Sequence, residues 1–261
     1  MLSVRMKHVG SGRIVLWEGG SLWAFDVPPA TTLRQGTGDH THHAIQLNFS
    51  VGGNFRFHIK DQVVQGPMVL IAPDVLHAYY PQGRNAMIFI DPESMLGAAV
   101  LRDLAGRDFS QPDPKGFSDI TARLTGIWDE PRPDNAILTQ LGRALAKRLA
   151  GDVAIEHSID KRIARVIESL AIDVDITLSA RTAADIACLS ESRFSHLFVE
   201  EVGLPFRTYV LWRRMMIAVT AIAAGTNLTS AAHDAGFADS AHFSRTFLRM
   251  FGIPASLLLM I

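Results

Sequence analysis

Three histidines fall within four positions of the stretch GDHTHHAIQL, at His40, His42 and His43. Imidazole is both a metal ligand and a proton carrier near neutral pH. His40 and His42, two apart, share one face of a strand and can chelate a divalent ion there, while His43 points to the other face. The same groups can instead line a pocket as hydrogen-bonding donors and acceptors, or be satisfied by backbone at an ordinary strand end. The neighbouring residues leave these readings open, so the elements that carry the histidines must be considered.

The chain has 261 residues, 48% hydrophobic and 20% charged, with 25 Lys+Arg against 26 Asp+Glu. That composition is globular and gives no hint of a nucleic-acid or membrane partner. A lone cysteine, Cys188, excludes an internal disulfide and favours a reducing compartment. The first twenty residues lack a long apolar segment of the secretory kind, and no apolar run approaches the ~20 residues of a spanning helix. The sequence therefore reads as soluble and cytoplasmic. Within the first ninety residues, AIQLNFSV and FRFHIK alternate apolar and polar, as half-buried antiparallel strands do, with Gly52-Gly53 as a turn between them. GPMVLIAPDVLH and AMIFID read as further strands, and several short strands at this spacing predict a small sandwich or barrel. Beyond Asp91 the pattern turns helical. Leu138, Leu141, Leu145 and Leu149 form one stripe on a helix ending at Gly151. Two readings stay open for that stripe: packing against the barrel, or a dimer seam. After a DEPRPD break and a DVAIEHS linker, everything from Ile159 onward reads as helix.

An internal repeat decides what the second half is. FSHLFVEEVGLP from Phe194 and FSRTFLRMFGIP from Phe243 share the pattern F-S-x-x-F-x-x-x-x-G-x-P. Each copy is a helix stopped by glycine and followed by proline. Phe194, Phe198, Phe243, Phe247 and Phe251 belong to the core side. Ala241, Arg245 and Arg249 project from the opposite side, as do Ser192, His196 and Glu200 in the first copy. A short helix and a tight turn precede each copy. In the second, a helix through Ala231 and Ala232 ends at Gly236, and Asp239 caps the next helix. Helix, short glycine turn, helix is the helix-turn-helix motif, whose second helix enters the major groove.

Residues from about 159 to 256 resemble the DNA-binding domain of the AraC/XylS family of bacterial transcription regulators. The stretch AGFADSAHFSRTFLRMFGIPAS carries the resemblance, and TAADIACLSESRFSHLFVEEVG is a looser second match. The resemblance implies two helix-turn-helix units joined by a long helix, here PFRTYVLWRRMMIAVTAIAAG. Cys188 stands where the family usually has the turn glycine. Carried over, the base-reading positions fall on Ser192, Ser195 and His196 in the first unit and on Ser240, Ala241, Ser244 and Arg245 in the second. Arg193, Arg214 and His242 are candidates for phosphate contacts. Ten Lys+Arg balance ten Asp+Glu from Ile159 to the end, an unusually neutral DNA-binding half. The fold class implied is α+β: a cupin-like barrel with trailing helices over 1–152, then an all-α domain over 159–261.

The family commonly carries a cupin-like barrel that binds a small effector. Metal-binding cupins resemble H-x-H-x-x-x-E followed by a later histidine. His40 and His42 fit, Gln46 replaces the glutamate, and His77 stands where the later histidine would be. Losing the anionic ligand weakens a metal site, so the expectation is no bound metal and no cofactor. His40, His42, Gln46 and His77 are read instead as the wall of an effector pocket. The partners implied are operator DNA, an unknown small-molecule effector, a second copy of the chain, and RNA polymerase if the protein activates; no membrane is implied. The reading is non-enzymatic. Its rivals are a metal-dependent cupin enzyme fused to a DNA-binding tail, and a ligand-free interaction module.

Overall fold

The computed structural model describes residues 12–27, 36–128, 130, 134–151, 159–172 and 178–260. The N-terminal stretch before Gly12, most of the DEPRPD break and the DVAIEHS linker lie outside the described residues. Eight described strands form one antiparallel sheet: β1 (Gly12–Trp17), β2 (Gly20–Val27), β3 (Ile45–Ser50), β4 (Asn54–Ile59), β5 (Gln62–Gln65), β6 (Met68–Ile71), β7 (His77–Ile90) and β8 (Phe109–Ser110). The order is β1-β2-β7-β3-β6-β8, with the β4-β5 hairpin paired to the first half of β7. One long strand therefore serves two layers: His77–Gln82 pairs with β4, and Gly83–Ile90 pairs with β2.

The alternation of AIQLNFSV predicts one wet face for β3, but both faces are buried. Ile45, Leu47 and Phe49 lie under helices α1 (Met95–Leu104), α2 (Ser118–Trp128) and α3 (Asn135–Ala150), in one cluster with Leu138, Leu141 and Leu145. Gln46 and Asn48 point to the other side and are also buried. The leucine stripe is thus used within the chain, each buried leucine worth ~1.5–3 kcal/mol of transfer free energy, and offers no free dimer seam. A Cβ on Gly142 would stand 2.6 Å from the Trp17 ring, so α3 approaches β1 as closely as only glycine permits.

The second half is helical: α4 (Lys161–Ile172), α5 (Ala180–Ile186), α6 (Glu191–Val202), α7 (Phe206–Ala223), α8 (Leu228–Asp234) and α9 (Ser240–Phe251). Side-chain caps start α5, α6, α8 and α9. Ser179, Ser190, Asn227 and Asp239 each accept a backbone N–H from the first turn. Gly203 and Gly252 close α6 and α9 in the left-handed region. The α5–α6 and α8–α9 pairs are the two helix-turn-helix units, joined by the 18-residue α7. Their phenylalanines Phe194, Phe198, Phe243 and Phe247 are fully buried, as the repeat predicts.

The two halves share one core. Trp23, Phe57, Tyr79 and Phe89 of the strands form a continuous cluster with Trp212, Met215, Phe247 and Phe251 of α7 and α9. Trp23 stacks on Phe251 at 5.3 Å between ring centroids.

The turns of the two units differ at the residue that takes the left-handed conformation. Gly236 has φ +76°, and Cys188, at the corresponding place, has φ +55°. A side chain in the left-handed region costs ~1–2 kcal/mol that glycine avoids. Cys188→Gly is therefore expected to stabilise the chain by about 0.5–1 kcal/mol in urea melts. Gly236→Ala is expected to cost about as much, since its Cβ would meet the Arg214 guanidinium at 3.2 Å.

Candidate nucleic-acid interface and the histidine cluster beside it

Burying the aromatic side of α6 and α9 leaves the opposite side to solvent. Ser192, Arg193, Ser195 and His196 are exposed on α6, and Ala241 and Arg245 on α9. Ser240, His242 and Ser244 are half-buried on α9. Arg214 lies on α7 instead, half-buried, with its guanidinium over Gly236. Nine of the ten carried-over positions thus fall on the two second helices, and Arg214 lies against the turn that precedes α9.

The hydroxyls of Ser195 and Ser244 donate to the carbonyls of Glu191 and Ser240, each at 2.8 Å. With their protons engaged, both serines offer lone pairs outward and suit a base amino group. Val199 and Leu248 are large apolar residues at the same place in the two copies, exposed at 42% and 49%. The sequence reading passes over them, although the repeat itself places them beside His196 and Arg245. Apolar groups there can meet thymine methyls.

The barrel-side histidines come together. His40 and His77 form an isolated antiparallel bridge, each backbone N–H bonding the other's carbonyl. Their ring centroids lie 4.3 Å apart, and His42 lies 5.2 Å from His77 and 5.9 Å from His40. Gln46 joins them, its Oε1 2.6 Å from His42 Nε2, while its Nε2 donates to Asn48 Oδ1 at 2.6 Å. All four are buried. Burial lowers the pKa of His40, His42 (to about 4) and His77, and repulsion among the three lowers the last two further. The set is therefore neutral imidazole, the form that binds a metal. The His42 ring lies 6.1 Å from Phe251 and 6.4 Å from Trp212, so the cluster sits against the end of α9 and the middle of α7.

His43 faces elsewhere, as the strand alternation predicts. Its Nε2 lies 3.2 Å from Glu93 Oε2 and its Nδ1 3.8 Å from Asp74 Oδ2. Burial works to lower its pKa, but the two carboxylates outweigh burial and raise it to about 9. Burial likewise opposes the Glu93 charge, and His43 holds that carboxyl below its ordinary value. Asp91 lies nearby, accepting from Trp212 Nε1 at 3.4 Å and pairing with Arg213 at 3.7 Å. Burial and Glu93 push its pKa up to about 6 against the pull of Arg213. Asp91, Glu93 and Arg213 border a cavity of about 680 Å³ between the strands and helices α4 and α7, walled by Trp17, Phe89, Trp212 and Met216. The members of this network lie in four separate stretches, so no local pattern in the sequence points to it.

The helix-turn-helix domain family matches residues 183–259, which span α5 in part through α9 and the 3-10 turn after it. No curated protein sequence matches the chain. Among solved structures, ToxT from Vibrio cholerae O395 aligns over 97% of this chain and 98% of its own, at 11% identity and a TM-score of 0.56. An apo ToxT variant from Vibrio cholerae strain SCE256 aligns over 93% and 98%, at 11% identity and a TM-score of 0.59. Wild-type ToxT of that strain, bound to an unsaturated fatty acid, aligns over 87% and 90%, at 12% identity and a TM-score of 0.53. The chain shares their fold from strands to final helix.

The His43–Glu93 pair generates a prediction with a definite sign. A folded-state histidine pKa raised from 6.5 to about 9 contributes stability that is whole below pH 6.5 and lost as pH rises through about 9. The lowered Glu93 pKa contributes above the ordinary carboxylate range and is lost in acid. Glu93→Gln is expected to cost about 3 kcal/mol near pH 7, as removal of one partner of a buried pair does. It is also expected to flatten the loss of wild-type stability between about pH 7 and 9. Urea melts across that range check both; an unchanged slope would mean that Glu93 is not the partner that holds the His43 proton.

Proposed function

We infer that this chain, whose residues 183–259 are a helix-turn-helix domain, is a sequence-specific DNA-binding transcription regulator of the AraC type. The observation that carries the reading is the repeated second helix. In both α6 and α9 an aromatic face is buried and a polar face is left to solvent, with a short capped helix before each. Two such helices held by one 18-residue connector suit two successive major-groove contacts. The neutral charge of this half gives it little long-range attraction to DNA, so local phosphate contacts, groove contacts and a second copy of the chain share the affinity. A homodimer on repeated half-sites, RNA polymerase as partner in activation, and a cytoplasmic location complete the proposal. Among the described residues no helix is long and apolar enough to cross a membrane.

The strand half serves as the effector domain in this reading. ToxT, similar in fold over nearly the whole chain, has been seen with an unsaturated fatty acid bound. Here the candidate effector region is the cavity at the seam, bordered by Asp91, Glu93, Trp212 and Arg213 and touching α7, with the buried cluster of His40, His42, Gln46 and His77 beside it. A ligand held there contacts the sensing and DNA-reading halves at once. The enzymatic alternative has less support. The imidazoles that would carry a catalytic metal do not line the cavity, and His42 is packed against Phe251 and Trp212.

The test begins with selection of a duplex from a random pool, followed by titrations against single-base variants at fixed salt. Arg245 is the one arginine at a base-reading position. Arg245→Ala is expected to relax discrimination at one base pair by roughly ten- to a hundredfold, the worth of a bidentate guanine contact. Ser192→Ala changes little. His196→Ala has a modest effect. Uniform weakening by Arg245→Ala would reassign the residue to phosphate, and failure to select any duplex would sink the regulatory reading.

A further inference from the structure

The cavity between the strands and helices α4 and α7 is apolar in its walls and acidic in its polar groups. Trp17, Phe89 and Trp212 supply aromatic surface. Four carboxylates border it among the described residues, Glu18, Asp91, Glu93 and Glu168, against one cation, Arg213. Arg213 is engaged with Asp91 at 3.7 Å, and His43 with Glu93 Oε2 at 3.2 Å. Those two pairs cancel. Glu18 and Glu168 are exposed and give the rim its negative charge. Deeper in, two polar atoms are unsatisfied. The Glu93 side chain is 6% exposed, and Tyr209 is fully buried. The two side chains face one another, yet neither Glu93 Oε1 nor the Tyr209 hydroxyl has a hydrogen-bond partner among the described residues. A bare buried carboxylate oxygen is costly, and a donor brought to it recovers the loss.

We propose that this cavity takes an amphipathic organic cation, an apolar or aromatic body carrying one primary ammonium or amidinium group. The proposal rests on the reading of the cavity as the effector region. The head group donates to Glu93 Oε1 and to the Tyr209 hydroxyl oxygen. The body lies among Trp17, Phe89 and Trp212, and aromatic rings attract a cation beside them. A volume of about 680 Å³ falls within the range of small-molecule sites. An anion meets the opposite conditions. Its one cationic partner in the lining is Arg213, which it must take from Asp91, and it must come to rest beside Glu93. The charge of the lining thus selects the sign of the ligand, and the walls select its body.

The same contacts reach the DNA-reading half. Tyr209, Trp212 and Arg213 belong to α7, the connector between the two units, whereas Asp91 and Glu93 follow the end of β7. Trp212 Nε1 donates to Asp91 Oδ1 at 3.4 Å, and the Arg213 pair is too long for a hydrogen bond. An ammonium group between Glu93 and Tyr209 adds a bridge from the strands to α7 and competes with Arg213 for the carboxylates. The seat of the connector then depends on occupancy of the cavity, and so, on the regulatory reading above, does the affinity for DNA.

The probes are compounds of one shape and three head groups: naphthylethylamine, naphthylethanol and naphthylacetate, with hexylamine, hexanol and hexanoate as a second body. Each is titrated calorimetrically into full-length protein. One amine per chain is expected, bound about tenfold or more tighter than the matching alcohol, the worth of a charge-assisted hydrogen bond. The carboxylate is expected to bind more weakly than the alcohol. Glu18→Gln and Glu168→Gln, at exposed positions, are expected to weaken the amine by roughly two- to threefold and to leave the alcohol unchanged. Glu93→Gln is expected to abolish the preference for the amine, with circular dichroism establishing that the variant is folded. Should it unfold, Tyr209→Phe takes its place and is expected to lose part of that preference. Equal binding of the three head groups, preference for the carboxylate, or no binding of any probe would overturn the proposal. So would a folded Glu93→Gln variant that keeps the full preference. On a selected duplex, the amine is expected to change affinity by roughly five- to a hundredfold. A bound amine that leaves DNA affinity unchanged would overturn the coupling. The titrations need no DNA, so their failure is distinct from a failure of the regulatory reading.

Discussion

The arrangement depends on an aromatic seam. Trp23 and Phe89 from the strands meet Trp212 and Phe251 from the helices, and His42 lies at an aromatic contact with three of them. Aromatic pairs in edge and stacked geometry are worth ~0.5–1.5 kcal/mol each beyond the area they bury. The seam does not stand alone, since a backbone hydrogen bond between Gly38 and Gly252 anchors its edge. The second helix-turn-helix unit is therefore not a freely tethered reader. Its terminal phenylalanine is part of the core that the strands need, and a change in how the strands close is transmitted to α9 by packing.

Burying both faces of the sheet has a consequence for polar residues. Gln46 and Asn48 lie on the inner face of β3 and cannot reach water, so they bond each other and His42. The neighbouring ion network follows the same rule. Glu93, Asp91, His43 and Arg213 come from three separate stretches and are tolerated in a largely buried seam because two cations meet two anions. Such a network adds little net stability, but it disfavours any other alignment of the two halves, which would strand one charge without its partner.

The two reading units are built alike and equipped differently. The buried phenylalanines, the capping side chains and the closing glycines repeat, because each helix must seat on the connector in the same way. The outward positions are free of that constraint and have diverged: His196 and Glu200 in one unit, Arg245 and Arg249 in the other. The balance of charge between these helices is an attribute of the surface and has no bearing on their fold.

The sequence by itself determined the division into strands and helices, the repeat, the caps and the outward positions of α6 and α9. These are local properties, written in periods of 2 and 3.6 and in cap and turn residues, and they need no distant partner to be read. The convergence of His40, His42 and His77 was legible only through a resemblance, because 35 residues separate His42 from His77. Tertiary structure alone decided the rest. The wet face expected for β3 became dry because it turns inward between the strand layers, where Gln46 bonds His42 and Asn48, and the leucine stripe turned inward because α3 packs on the sheet. His43, outwardly one more histidine in a run, became half of a buried ion pair with a carboxylate 50 residues away. Periodicity tells which side of an element is apolar; which surface covers that side depends on long-range packing, in which every element competes for the same buried area.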